Sequence, residues 1–155
     1  MTQTQTFTPE AASALRGLAV SKLQVALRRA NASFDATPDE RLDYKPSETA
    51  NSPRQLMQHV VTGNAFVAGT LGFDLGVKEP ATDRSELSSQ LNQTTQAIID
   101  CIANLSDEQV NGSVDFFGHP MPMSSFILVD EWHLARHVGQ LDYIQTIYGD
   151  MEDRI

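Results

Sequence analysis

Two histidines near the C-terminal end of the chain have the spacing of metal ligands on one helix. His133 and His137 are four residues apart, in a segment from Asp130 that contains no proline and ends at Gly149, where a helix stop belongs. Helical residues four apart share a face, with Cβ atoms about 6 Å apart, so both rings can reach one ion. Two core histidines, each hydrogen-bonded to a neighbour, would show the same spacing. A metal site therefore needs a third ligand from elsewhere in the chain.

The candidate third ligand is His59, at the margin of the apolar face of a second predicted helix. Gly63 follows one turn later and would leave room for an imidazole ring. A histidine at a surface edge with no ligand role is the commoner case, so this position is weak evidence alone. His119 lies in a Gly-His-Pro loop and is predicted to be a surface or lid residue rather than a ligand.

Two polar residues are candidates for orienting the histidines. Ligating imidazoles usually donate their second N–H to a carboxylate, a carbonyl or water. Asp130 lies one turn before His133, and Gln140 lies one turn after His137. Each has an alternative interpretation, Asp130 as a solvated acid favoured by the helix dipole and Gln140 as an ordinary amide at the core edge.

Length and charge limit the class of protein. The 155 residues predict a single domain over 1–155, with a flexible polar tail over 1–6. The net charge of −9 argues against binding to nucleic acid or to an anionic membrane through a basic surface. No apolar run is long enough to span a bilayer, and the N-terminus lacks the charged and apolar regions of a signal peptide.

The single cysteine, Cys101, excludes an intramolecular disulfide and fits the reducing cytoplasm, which is the predicted location. Because it falls inside a helical pattern, it is predicted to be a small buried hydrophobe rather than a nucleophile.

Apolar residues recur at spacings of three and four in four segments, and no segment alternates like a strand. The fold class predicted is therefore all-α, a four-helix bundle, with the winding order left open. The loop-like segment after the third helix contains Val114, Phe116 and Phe117, which are predicted to form a brief extended pair or a lid. The predicted helices cover residues 8–34, 53–72, 83–105 and 124–148.

Helix starts are marked by residues that satisfy unpaired backbone N–H groups. Ser52 with Gln55 has the capping-box spacing, Asp83 precedes the third helix, and Ser124 or Ser125 is predicted to cap the fourth.

The fourth helix is predicted to bury the side that carries both histidines. Its outward residues are expected to include Leu128, Trp132 and Tyr143, which could bury against a second copy in a homodimer. The side predicted to be buried holds Phe126, Val129, His133, His137, Gln140, Ile144 and Ile147.

Two histidine segments resemble the DinB/YfiT superfamily. The first is Ser-Pro-x-x-Leu at 52–56 followed by His59, and the second is His-x-x-x-His-x-Gly-Gln-Leu at 133–141. The connection at 39–46 and the final Tyr-Gly are also similar to that family. The similarity extends over nearly the whole chain, although only the histidine segments are specific.

The resemblance implies a four-helix bundle, often dimeric, with three histidines that hold a divalent metal ion. Carried over by position, the ligands are His59, His133 and His137. The chain departs from the family at Val138, where arginine is common, which affects contacts beside the ligands rather than the ligands. Zinc or nickel is the expected ion, although three histidines also suit cobalt, iron or copper.

The function that these features predict is a metal-dependent enzyme acting on a small molecule. Among the proteins that the chain resembles, some transfer groups between a low-molecular-weight thiol and a second substrate, and others are described as hydrolases. The ion would act as a Lewis acid that activates a thiol or a water. The alternative is a non-catalytic bundle, either stapled by a metal or metal-free and dimeric.

Overall fold

The computed structural model describes residues 6–154, so all of the predicted tail except Thr6 lies outside the described residues. Four long helices dominate the chain, and short elements occupy the connections between them. The long helices are α1 (Pro9–Ala36), α2 (Pro53–Leu71), α3 (Arg84–Asn104) and α6 (Val129–Ile147). The short elements are a 3-10 turn (Asp39–Arg41), α4 (Asp107–Val110), β1 (Ser113–Phe116), β2 (His119–Pro122) and α5 (Met123–Phe126).

Local capping explains where α2 and α3 begin. The Ser52 hydroxyl accepts from the backbone N–H of Gln55, and the Gln55 side chain accepts in return from the Ser52 N–H. The Asp83 carboxylate accepts from the backbone N–H of Glu86 at 3.0 Å. These caps confirm the predicted starts, because each needs only residues three positions apart.

The predicted cap of the last helix is wrong. Ser124 and Ser125 lie inside the separate short helix α5, and α6 begins only after Leu128, which provides no side-chain cap. Phe126 and Ile127, both almost fully buried, occupy the bend between the two helices. Packing at the bundle end, rather than a serine cap, therefore determines where α6 begins.

The four long helices form the predicted bundle, packed around one core in the order α1, α3, α2, α6. The long connections, from α1 to α2 and from α3 to α6, join helices on opposite corners. The residues that recur at spacings of three and four along α3 and its C-cap are all buried: Leu87, Leu91, Thr94, Ile98, Ile102 and Leu105. None of the helices within residues 6–154 is long and apolar enough to cross a bilayer.

A small hairpin adds the only strands of the described chain. Strands β1 and β2 pair antiparallel, and Phe117 (φ +53°) and Gly118 (φ +81°) form the turn. Phe117 stacks on Phe66 of α2 with centroids 4.8 Å apart, while Phe116 contacts Phe126. The predicted extended pair is therefore present, and aromatic contacts hold it against one end of the bundle.

The buried face of α6 differs from the predicted one. Gln140 and Ile147 are exposed and His133 is only partly buried, whereas His137 and Ile144 are buried as predicted. Polar residues on the buried face and apolar residues outside it make the hydrophobic period of α6 weak. The buried set is Asp130, Leu134, His137, Val138, Leu141, Ile144 and Gln145.

Candidate metal centre

The structure brings the three predicted histidines together between α2 and α6. His59 comes from α2, and His133 and His137 come from adjacent turns of α6. A ring nitrogen of each lies within 4.8 Å of a ring nitrogen of the other two. Within residues 6–154, no fourth His, Cys, Asp or Glu side chain joins the group.

The spacing of the nitrogens fits a tetrahedral ion. The Nε2 atoms of His59 and His133 are 3.2 Å apart. Two nitrogens bound to zinc at about 2.05 Å with a tetrahedral angle are separated by about 3.3 Å. The donor set also fits, because neutral imidazoles are the commonest nitrogen ligands for such ions. The exposure of His59 leaves the group accessible from solvent.

Gly63 makes this arrangement sterically possible. A Cβ atom built on Gly63 would lie 2.4 Å from Cε1 and 2.9 Å from Nδ1 of His133. The His133 ring therefore occupies the space that any larger residue on α2 would fill. Helix α2 thus supplies one candidate ligand, His59, and one turn later the gap that the ring of His133 occupies.

Gln140 fixes the orientation of His137. The distance from His137 Nδ1 to Gln140 Oε1 is 2.6 Å, and because an amide oxygen only accepts, Nδ1 must donate the proton. This tautomer leaves Nε2 of His137 unprotonated and available to a metal ion. The contact is of the kind that commonly orients metal-binding histidines.

Asp130 is buried rather than solvated, and its contacts among residues 6–154 do not include the predicted one that would orient a histidine. It is 1% exposed, and no hydrogen bond joins it to any of the three histidines in the described chain. When the Asn64 amide oxygen accepts from the hydroxyls of Thr94 and Thr95, its nitrogen donates to Asp130 Oδ1 at 3.1 Å. Asp130 therefore joins α6 to α2 and α3 through the core.

Burial controls the protonation of these groups. It raises the pKa of Asp130 to about 7. Burial is also the main cause of the low pKa of His133, about 4, with smaller contributions from His137, His59 and Arg136. Burial likewise lowers the pKa of His137, opposed by its bond to Gln140. His133 and His137 are therefore held as neutral rings, the form that binds metal.

A cleft of about 490 Å³ is linked to the histidine group through Gln140, which lines the cleft and contacts His137. One wall is the connection between α1 and α2, and the other is the outer face of α6, including Arg136 and Gln140. Sequence reasoning identified Gln140 but missed Arg136 and the connection. Arg136 could have been noticed in the sequence, because it lies between the two histidines of α6. The opposing wall gave no such signal, because it comes from residues about 90 positions earlier.

The other candidates lie elsewhere. His119 is exposed on β2 and does not belong to the histidine group. Cys101 is half-buried on α3, and burial raises the pKa of its thiol, which disfavours the nucleophilic thiolate. Val138 is 2% exposed, so the position where the family often has arginine is part of the core here.

Comparison with known proteins places the chain in a family. The DinB superfamily profile matches residues 22–141, most of the sequence and all three histidines. The chain belongs to the DinB superfamily. A DinB-like protein from Bacillus subtilis, YjoA, has a similar structure, with a TM-score of 0.70 and 21% identity over 87% of this chain and 94% of that one.

A second DinB-like protein, from Bacillus cereus, has a TM-score of 0.64 and 21% identity over 83% of this chain and 91% of its own. At these identities the two structures support the shared DinB fold, without extending to a shared activity. No curated protein matches the sequence significantly.

Proposed function

We propose that this DinB-superfamily protein is a metal-dependent enzyme that acts on a small molecule, as a thiol transferase or a hydrolase. The observation that carries the proposal is the group of three histidines, with no fourth side-chain ligand in the described chain and with His59 exposed to solvent. Three protein ligands with a position left open are typical of catalytic zinc sites, whereas structural sites are closed by four.

His59, His133 and His137 are the proposed ligands, and zinc or nickel is the proposed ion. A divalent ion held by three neutral imidazoles keeps its full charge and supplies Lewis acidity to a bound thiol or water. The chain contributes the geometry: Gln140 fixes the tautomer of His137, and Gly63 gives His133 its place. Asp130 and Asn64 hold α6 and α2 together through a polar contact in the core.

The two reaction types differ in the nucleophile. In transfer, the thiol gives up its proton to solvent, its sulfur bonds to an electrophilic carbon, and any leaving group departs with the bonding electron pair. In hydrolysis, the oxygen of a water molecule takes the place of the sulfur. The one cysteine of the chain, Cys101, lies outside the histidine group and has a raised pKa, so it does not compete as nucleophile.

The test begins with protein purified without a nickel column and analysed for metal content. His59→Ala, His133→Ala and His137→Ala should each lower bound metal, whereas His119→Ala, which removes an exposed histidine outside the group, should not. Full occupancy in all three single mutants would show that the histidines are not ligands.

Activity is then measured with metal-loaded protein and a panel of electrophiles, with and without a low-molecular-weight thiol. Turnover that needs thiol and disappears in His133→Ala supports transfer, and turnover without thiol supports hydrolysis. No turnover in either arm with metal fully bound would favour the alternative, a non-catalytic bundle in which the metal is a staple.

A further inference from the structure

We infer that the cleft beside the histidines is a carboxylate-binding subsite, and that the substrate of the centre is a small carboxylate with an aliphatic body. The inference rests on the proposed function for the reacting end of that molecule. For the carboxylate end, the inference rests on the cleft itself. The binding of the two ends can be tested separately.

Arg136 is the first observation. Among residues 6–154 it is the only charged residue that lines the cleft, so no aspartate or glutamate of that range lines it. Within residues 6–154 its guanidinium forms no ion pair, and it lies 5.7 Å from the centroid of the Trp132 ring. Stacking on an indole leaves the guanidinium edge, with its paired N–H donors, available for a planar carboxylate.

Gln140 is the second observation. Its side-chain oxygen is occupied by His137, and its amide nitrogen has no hydrogen-bond partner in the described chain. The remaining capacity of Gln140 in the cleft is therefore donation. Arg136 and Gln140 are one turn apart on α6, so their donors lie on the same side of the cleft. A ligand that satisfies both must present acceptor oxygens.

The rest of the lining defines the body of the ligand. Leu56 and Ile144 are buried at the cleft, and Pro46 and Ala50 belong to the opposite wall. A volume of about 490 Å³ is within the range of small-molecule sites. The cleft therefore accommodates a short aliphatic chain, with Gln140 connecting it to the histidine group through His137.

Charge favours the same class of ligand. The chain has a net charge of −9, so most of its surface repels anions. The cleft is a local exception, because the described residues that line it include a cation and no acid. A divalent ion on the neighbouring histidines would add to this positive potential. An anionic substrate would thus be drawn to this part of the surface.

The experiment uses the full chain loaded with Co²⁺ and two thiols that differ only at the far end, 3-mercaptopropionate and 3-mercapto-1-propanol. The charge-transfer absorption of a cobalt–thiolate bond reports the binding of each. We expect the carboxylate to bind about tenfold tighter or more, as a charge-assisted hydrogen bond provides. Arg136→Gln should remove that preference while leaving cobalt content and the affinity for the alcohol unchanged.

Arg28→Gln is the matched control, because Arg28 is an exposed arginine on α1 outside the cleft lining. It should keep the preference for the carboxylate, which excludes an effect of net charge. Equal affinities for the two thiols in the wild type, or a preference that survives Arg136→Gln, would overturn the inference while leaving the metal centre intact.

A metal-free arm separates this inference from the proposed function. Propionate and propanol are titrated into the unloaded protein, and the side-chain amide resonances of Gln140 are followed by NMR. Shifts that occur with propionate but not propanol, and that are abolished in Arg136→Gln, support the subsite. A failure to bind cobalt would refute the proposed metal centre but would leave this result standing. Identical responses to both compounds count against the subsite whatever the metal does.

Discussion

The imidazole of His133 lies directly against Gly63, so close that a Cβ on Gly63 would be 2.4 Å from its Cε1. Real Cβ contacts do not occur at this distance, and the nearest atoms belong to the histidine ring itself. A methyl group at position 63 can therefore be accommodated only if the ring of His133 moves. The glycine is needed here for space, because it lies within a regular helix rather than in a turn.

Gly63→Ala should accordingly weaken metal binding without removing a ligand. Displacing a packed ring costs about 1–3 kcal/mol, which corresponds to a rise in the metal dissociation constant of about fivefold to 150-fold. Isothermal titration with zinc measures the change. Gly69→Ala is the matched control, since the same helix offers open space around position 69. Equal affinities in the two variants would mean that His133 does not need its observed position.

Gln140→Leu should weaken metal binding by a different route. Leucine keeps much of the side-chain volume but cannot accept the proton on Nδ1 of His137, so the tautomer with Nε2 free is no longer favoured. Loss of such an orienting contact commonly costs about 10-fold to 100-fold in metal affinity. Gln24→Leu, on the exposed face of α1, controls for replacing a surface amide. Unchanged zinc affinity in Gln140→Leu would indicate that the bond is incidental.

The sequence predicted those parts of the molecule that depend on local chemistry. The cap formed by Ser52 and Gln55 needs only neighbouring residues, and the regular stripe of α3 marks its buried face directly. On α6 the same reasoning failed in part, because Asp130 and Gln145 are buried while Gln140 and Ile147, predicted to be buried, are exposed. Polar residues become buried when residues distant in sequence form hydrogen bonds with them, and the periodicity of α6 alone does not reveal those partners.

The candidate site was predictable in part for the same reason. The spacing of His133 and His137 indicated a shared ion. The position of His59 beside Gly63 made it a candidate third ligand, and the family resemblance strengthened that choice. The role of Arg136 depends on the connection between α1 and α2, which only the folded chain brings to the outer face of α6. Asp130 illustrates the same limit, since its partner Asn64 lies on another helix.

Self-association remains a prediction, and the structure identifies where to test it. Trp132 and Tyr143 are 60% and 67% exposed on α6, whereas Leu128, also predicted to face outward, is partly buried against the core. If the exposed aromatic residues of α6 form a homodimer interface, Trp132→Ser should shift the protein toward monomer in sedimentation at micromolar concentration. Phe117→Ser, at the exposed tip of the hairpin, is the control. A wild-type protein that is monomeric throughout would contradict the prediction.

Asp130 should make the stability of the metal-free protein depend on pH in an unusual direction. Its pKa is raised by burial from 3.8 to about 7, so the folded state holds the proton more tightly than the unfolded state. Between those pH values the native chain binds more protons, and its free energy of unfolding decreases as the pH rises. His133 acts in the opposite direction, because its pKa is lowered from 6.5 to about 4 and the unfolded state then binds more protons.

The two effects are separated by comparing the wild type with Asp130→Asn, which keeps an acceptor for Asn64 and removes only the titrating group. Relative to the wild type, the free energy of unfolding of Asp130→Asn should increase from pH 4 to pH 7.5 and then level off. The total increase should be at most about 4 kcal/mol. Urea denaturation at several pH values measures it, and the histidine contribution cancels because both proteins share it. Asp35→Asn, an exposed aspartate of α1, controls for the loss of a surface charge. Parallel pH profiles for wild type and Asp130→Asn would show that the buried carboxyl titrates normally, and that the contact between Asp130 and Asn64 holds a charged rather than a neutral group.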